Sequence, residues 1–237
     1  MALQRVKLHS FDGNRWFLSY DTKRVVGRES LRREKLLRPP SRILMPKPSH
    51  RETLINEGLK VLLCQGYWGA SVRDIVRAAG VPQGSFTNHF SSKEVFAQEV
   101  LERYFSMVRG NIDKTLRNDS LSPLGRLRAW LDVQIDFLKK SQFHTGCLIG
   151  NFSIEASDQS ESIRQRLAAM IKEINESIVY CLQAAVNAGE LSASTDVREV
   201  ASFLYSSWQG AILESKVDQN IKPLERFKKF LFSQILH

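Results

Sequence analysis

From residue 49 onward, apolar residues recur at helical spacing and the gaps between runs are short and polar. Leu54, Ile55, Leu59, Leu62 and Leu63 form one stripe on a helix that Ser49 opens and Gly66 closes. Val72, Ile75, Val76 and Ala79 share a face of a short second helix ended by Gly80, and Val81-Pro82 then forces a turn. A third short helix runs from about Gln83 to His89, with Phe86 and Phe90 to pin it inward. Ser91 and Glu94 match a capping box for the next helix, Ser92 to about Leu116. Ser122-Pro123 opens another to about Lys140, with Leu124, Leu127, Trp130, Leu131, Ile135 and Leu138 on its apolar face. Two long helices (about Ser160–Asn187 and Thr195–Val217) and a last one from Pro223 to Leu236 complete the pattern. Strand-type alternation is scarce, so the expected fold is all-α.

The stretch from Ser71 to Glu94 carries the most specific signal. Two short helices joined by a tight turn at Gly80 form a helix-turn-helix, whose second helix enters the DNA major groove. That helix offers short polar groups: Gln83, Ser85, Thr87, Asn88 and His89. SVRDIV followed by AAGVPQGSFTNHFSSKE resembles the N-terminal domain of the TetR family of transcriptional repressors. The resemblance implies a DNA-binding domain over residues 49–95 and a ligand-sensing and dimerisation domain over 96–237. It implies phosphate contacts from Ser71, Thr87 and Lys93, with Thr87 standing where the family usually has a longer-reaching tyrosine. Arg73, Gln83, Ser85 and His89 are candidates for bases or their flanking phosphates, since Arg pairs with guanine and Gln with adenine. Asn88 suits either task, and His89 suits either base contact or internal packing. Several of these residues would equally cap or solvate the small helices.

Charge adds little to that case. The net charge is +9, yet residues 1–45 hold eleven basic and four acidic side chains, and the remainder 23 and 21. Most of the excess therefore precedes the recognisable fold. Residues 1–48 lack periodicity and carry four prolines between Pro39 and Pro48. They read as a basic, flexible extension, either an arm that attracts phosphate or a segment upstream of a natural start at Met45. Cys64, Cys147 and Cys181 share no metal-ligand or C-x-x-C spacing, which points to a reducing cytoplasm without a metal or cofactor. No apolar run is long enough to span a bilayer, and no secretory signal opens the chain. Cys64 and Cys181 sit beside apolar stripes and read as core, and Tyr67-Trp68 as a wedge against it.

The segment 141–157, SQFHTGCLIGNFSIEAS, breaks the periodicity with Gly146 and Gly150 and places Cys147 between small residues. T-G-C-L, then W-x-G-x-x-x-x-x-K (Trp208, Gly210, Lys216) and I-K-P-L-E from Ile221, resemble the NemR-type electrophile- and oxidant-sensing branch of the family. A thiol near a helix N-terminus or a lysine becomes a reactive thiolate that adds to electrophiles or oxidises reversibly. The resemblance thus makes Cys147 the candidate sensor and Lys216 its candidate activator. The alternative is an inert buried thiol in a tight turn. Trp130 and Gln134 suit an aromatic-plus-polar pocket wall. Tyr104 and Phe105 are core positions that in this family often face the pocket, and Trp208 joins the candidate set. The last two helices are expected to pair with a second copy, because a two-fold protein reads a palindromic operator.

The expected partners are therefore double-stranded DNA, a small-molecule effector (covalent at Cys147 or reversibly bound) and a second copy. An enzyme using Cys147 with His144 lacks an orienting third group and leaves the helix-turn-helix unexplained. A helical interaction protein with a decayed DNA surface is supported only by Thr87.

Overall fold

Polar side-chain caps set most helix N-termini among the described residues. The computed structural model describes residues 9–12, 15–17 and 49–236, which fall into two units, 1–45 and 46–237. In the first, β1 (His9–Asp12) pairs antiparallel with β2 (Arg15–Phe17), His9 opposite Phe17. This short hairpin lies within the segment read as a flexible arm or as an extension upstream of Met45; the rest of that segment lies outside the described residues.

Among the described residues the second unit is all-α. Helix α1 (His50–Gly69) starts at Ser49, whose hydroxyl accepts the Glu52 N–H at 3.2 Å. It is interrupted at Gly66, where φ is +74°. Helix α2 (Val72–Ala79) is opened by a capping box: Ser71 Oγ accepts the Asp74 N–H, and the Asp74 carboxylate accepts the Ser71 N–H, both at 3.1 Å. Gly80 ends it at φ 62° in the left-handed region, which glycine enters without a Cβ penalty. Helix α3 (Gly84–His89) has only six residues. Helix α4 (Lys93–Lys114) is capped by Ser92, bonded to the Val95 N–H, and not by Ser91. Glu94 instead accepts from Ser160 Oγ on the far side of the junction, so the expected box does not form there.

Helices α5 (Pro123–Lys140), α7 (Glu161–Asn187), α8 (Val197–Asp218) and α9 (Lys222–Phe230) follow the predicted order. Asp196 caps α8, which begins two residues inside the expected start, and a π-helical turn (Leu231–Ile235) follows α9. One helix was not anticipated. Helix α6 (Leu148–Glu155) includes Gly150, whose bare Cα lets the Gln209 side chain of α8 approach: an added Cβ would stand 3.0 Å from Gln209 Oε1.

Helix α4 bridges two layers. Its first half packs on α1, tied by the Arg51–Glu99 pair and by Arg103–Glu52 at 2.6 Å. From its middle onward it meets α7 through Arg166–Glu102 and Arg109–Glu173. Hydrogen bonds from Arg166 and Arg109, ahead of their charge, hold the Glu102 and Glu173 carboxyls below the ordinary glutamate value. A depressed carboxyl contributes stability above its unfolded value, and that contribution is lost as pH falls through the folded one. Thermal midpoints should therefore drop between about pH 5 and pH 3, and Glu102→Gln/Glu173→Gln should flatten that drop. An unchanged slope in the double variant would count against the assignment.

Candidate functional site

The outer face of the helix-turn-helix is built by inward aromatic anchors. Phe86, Phe90 and Phe96 are buried with ring centroids 4.9–5.4 Å apart, and this packing turns the opposite side of α3 to solvent. Gln83, Thr87, Asn88 and His89 are exposed there, as are Ser71 and Arg73 on the adjoining α2 end. The exposure of His89 takes it out of the core. Thr87 Oγ1 donates to the Gly84 carbonyl at 3.1 Å, which leaves its lone pairs outward but uses its proton. Ser85 does not belong to this surface. It is 8% exposed and lies 3.2 Å from His50 Nδ1, because it sits beside Phe86 on the inner side of α3.

Lys93 also faces a protein partner. Its ammonium donates to the Tyr67 carbonyl at 2.5 Å and lies 4.6 Å from the Tyr67 ring centroid. Burial lowers its pKa, with Glu155 opposing. The same carboxylate accepts the Trp68 N–H at 2.9 Å, and the Glu155 carbonyl accepts the Trp68 indole N–H at 2.6 Å. Tyr67 does wedge against Phe152, at 5.5 Å between rings, but Trp68 is 60% exposed. Glu155, the last residue of α6, therefore grips the end of α1 next to the start of α4.

Cys147 stands at the other end of that helix, at its N-cap, and lines a cavity of about 80 Å³. Tyr104, Met107, Trp130, Gln134, Tyr205 and Gln209 share the lining. The Tyr104 hydroxyl points to Cys147 Sγ at 3.8 Å. Burial pushes the Tyr104 phenol well above its ordinary value and raises Tyr205 too, Cys147 adding to both. Two candidates move off the lining. Trp208 is fully buried behind it, donating from Nε1 to Gln134 Oε1 at 3.0 Å. Phe105 is buried with the Arg109 guanidinium 4.5 Å from its ring centroid, facing away towards α7. The stem of Lys216 approaches Gly146, but its charge bears on Cys64, whose thiol desolvation raises and Lys216 lowers. Cys64 is exposed, contrary to its core reading. Cys181 is core: burial pushes its thiol up to about 11.

A model of bacterial regulatory proteins of the tetR family matches residues 54–100, and one of tetracyclin repressor-like C-terminal domains matches 123–231. The HTH-type transcriptional repressor DhaR of Mycobacterium sp. (strain GP1) is 37% identical over 192 residues, 81% of this chain and 95% of DhaR. The chain belongs to the TetR family. It is a DNA-binding transcriptional repressor of that family, and its relatives are regulators, not enzymes. The repressor NemR of Escherichia coli (strain K12) is 30% identical over 178 residues, 74% of this chain and 88% of NemR, so likeness to that branch is real but not exclusive. A crystal structure of a regulatory protein TetR from Rhodobacter sphaeroides superposes with a TM-score of 0.73 at 30% identity, covering 76% of this chain and 95% of the other.

In this TetR-family protein Cys147 and His144, the pair that a nucleophilic enzyme would need, are not joined. His144 pairs with Gln219 Nε2 at 3.3 Å instead of with the thiol, so no nucleophile–base pair forms. No helix among the described residues is long and apolar enough to cross a membrane. Sequence reasoning missed Tyr205 and Gln209. Their signal was present: Tyr205, Gln209, Ile212 and Lys216 recur at helical spacing on one side of α8.

Proposed function

We propose that this repressor acts as a cytoplasmic homodimer on a palindromic operator and is released when a small electrophile or oxidant modifies Cys147. One observation carries this reading: α6 has Cys147 at its cavity end and Glu155 at the end that holds α1 and α4. A change at the thiol is thereby linked through one eight-residue helix to the position of the DNA-binding helices. The effector shifts the equilibrium only as far as it favours the released arrangement, and operator and effector oppose each other reciprocally. The repressor names of DhaR and NemR support the same direction of control.

A seam on α8 supports the dimer. Phe203, Ser206, Gly210, Leu213 and Val217 are all exposed and alternate at three- and four-residue spacing, the pattern of a helix that packs against another helix. Phe230 of α9 is exposed as well. The outer face of α3 would then read bases through Gln83, Asn88 and His89, with Ser71, Arg73 and Thr87 on flanking phosphates.

The test is operator release, followed by fluorescence anisotropy, on adding an unsaturated electrophile or hypochlorite. Wild type should release the DNA, whereas Cys147→Ser should stay bound at reagent concentrations about tenfold higher. Equal release by both proteins would move the trigger to another thiol or to a reversible ligand in the same cavity.

A further inference from the structure

Tyr104, Cys147 and Tyr205 line the same cavity. The Tyr104 hydroxyl reaches Cys147 Sγ at 3.8 Å. Tyr205 is 8% exposed, and among the described residues its hydroxyl makes no hydrogen bond. Tyr205 lines the cavity, so its open hydroxyl is available there to a ligand's acceptor atom. Gln209, one turn further along α8, presents a second unpaired polar group to the same space. Gln134 does not, since Trp208 and the Trp130 carbonyl occupy its amide.

The lining also limits the ligand. It contains no charged side chain, and burying a charge without a partner is costly, so the ligand is neutral. The cavity of about 80 Å³ is roughly half of the ~150 Å³ that accommodates benzene, so the ligand is also small. A hydroxyl donor beside a thiol fits a ligand with an acceptor oxygen conjugated to an electrophilic carbon.

We propose that Tyr205 binds and protonates the carbonyl oxygen of a small, neutral α,β-unsaturated carbonyl compound while Cys147 adds to its β-carbon and Tyr104 holds the sulfur in line. This rests on the covalent reading of Cys147 above. A bond forms from Sγ to the β-carbon, and the C=C π pair shifts towards the carbonyl. The carbonyl oxygen takes the Tyr205 proton, and the thiol proton replaces it on the phenol. The resulting enol returns to the keto form by proton exchange with water. Atoms and charge balance without an added oxidant or reductant. Both phenols are protonated donors at neutral pH, as phenols ordinarily are, and burial does not change that. A donor aimed at the oxygen where charge develops is the usual way such additions are accelerated.

The test uses the full chain carrying Cys64→Ser, which removes the exposed thiol, and follows Cys147 modification by peptide mass spectrometry. Two reagents of similar size are compared: methyl vinyl ketone, which develops charge on oxygen, and allyl bromide, whose leaving bromide takes the charge instead. Tyr205→Phe should slow the ketone at least about tenfold and change the allyl bromide rate less than about twofold. Equal slowing of both reagents, or of neither, overturns the proton-donor role. A second measurement needs no variant at Tyr205. Relative to their rates with glutathione, Cys147 should react at least about tenfold faster with methyl vinyl ketone than with its phenyl-substituted analogue, and equal rates would remove the size limit. If Cys147 reacts with neither reagent, the covalent reading falls as well. If it reacts and releases DNA but Tyr205→Phe has no effect, only the present proposal falls.

Discussion

Replacing Phe96 with alanine should lower the thermal midpoint by about 6–20 °C and abolish operator binding well before the protein unfolds. Phe96 is fully buried, and its ring contacts those of both Phe86 and Phe90. Across the interface α1 supplies Gly58, where an added Cβ would stand 2.9 Å from Phe96 Cε1 and closer still to Cζ. The site is filled from both sides and cannot collapse easily, so removing the ring should cost about 3–5 kcal/mol. For a chain of this size each kcal/mol shifts the midpoint by roughly 2–4 °C. The loss of DNA binding has a separate cause. A six-residue helix is far below the length at which helices persist alone, so α3 takes its shape from Phe86 and the residues beneath it. Calorimetry and anisotropy at low temperature separate the two effects. A midpoint within about 2 °C of wild type would remove Phe96 from this role.

The features legible in the sequence were those that local chemistry determines. Ser49 and Ser122-Pro123 each cap the helix expected of them, because a side-chain oxygen next to an apolar run has one obvious donor to satisfy. The helix-turn-helix was legible for the same reason, through Gly80 and the Phe86–Phe90 spacing. What failed depended on neighbours distant in sequence. Two glycines argued against α6, and only the approach of Gln209 gives Gly150 a reason to be in a helix. Ser85 and Thr87 look alike in sequence, yet His50, 35 residues earlier, meets the first while the second faces water. Trp208 was expected to touch a ligand, but it acts on the pocket through the Gln134 amide, a pairing across 74 residues. Tyr205 was overlooked because its helical spacing with Gln209, Ile212 and Lys216 is equally that of a core face.

Gly66→Ala and Glu155→Ala should each destabilise the protein, and the double variant should be more stable than the sum of the two losses predicts. Gly66 has φ +74° and ψ −177°, a region open essentially only to glycine, so any side chain there costs about 1–3 kcal/mol. A Cβ would also stand 2.6 Å from Glu155 Oε2, pushing the carboxylate off the Trp68 N–H it accepts. Glu155→Ala removes that carboxylate, together with the opposing charge nearest Lys93. In the double variant the backbone strain remains but nothing is left to displace, so the two costs should fall short of additivity by about 1–2 kcal/mol. Urea unfolding of the four proteins measures this directly. The same proteins address function, because Glu155 is where α6 holds the DNA-binding helices. Glu155→Ala should still be modified at Cys147 at the wild-type rate yet release the operator only at higher occupancy. Losses that add within about 0.5 kcal/mol would show that Gly66 and Glu155 do not share one contact. Unchanged release would show that the signal leaves the cavity by another route, with α4 the next element to test, since it lines the cavity at Tyr104 and carries Phe96 under the recognition helix.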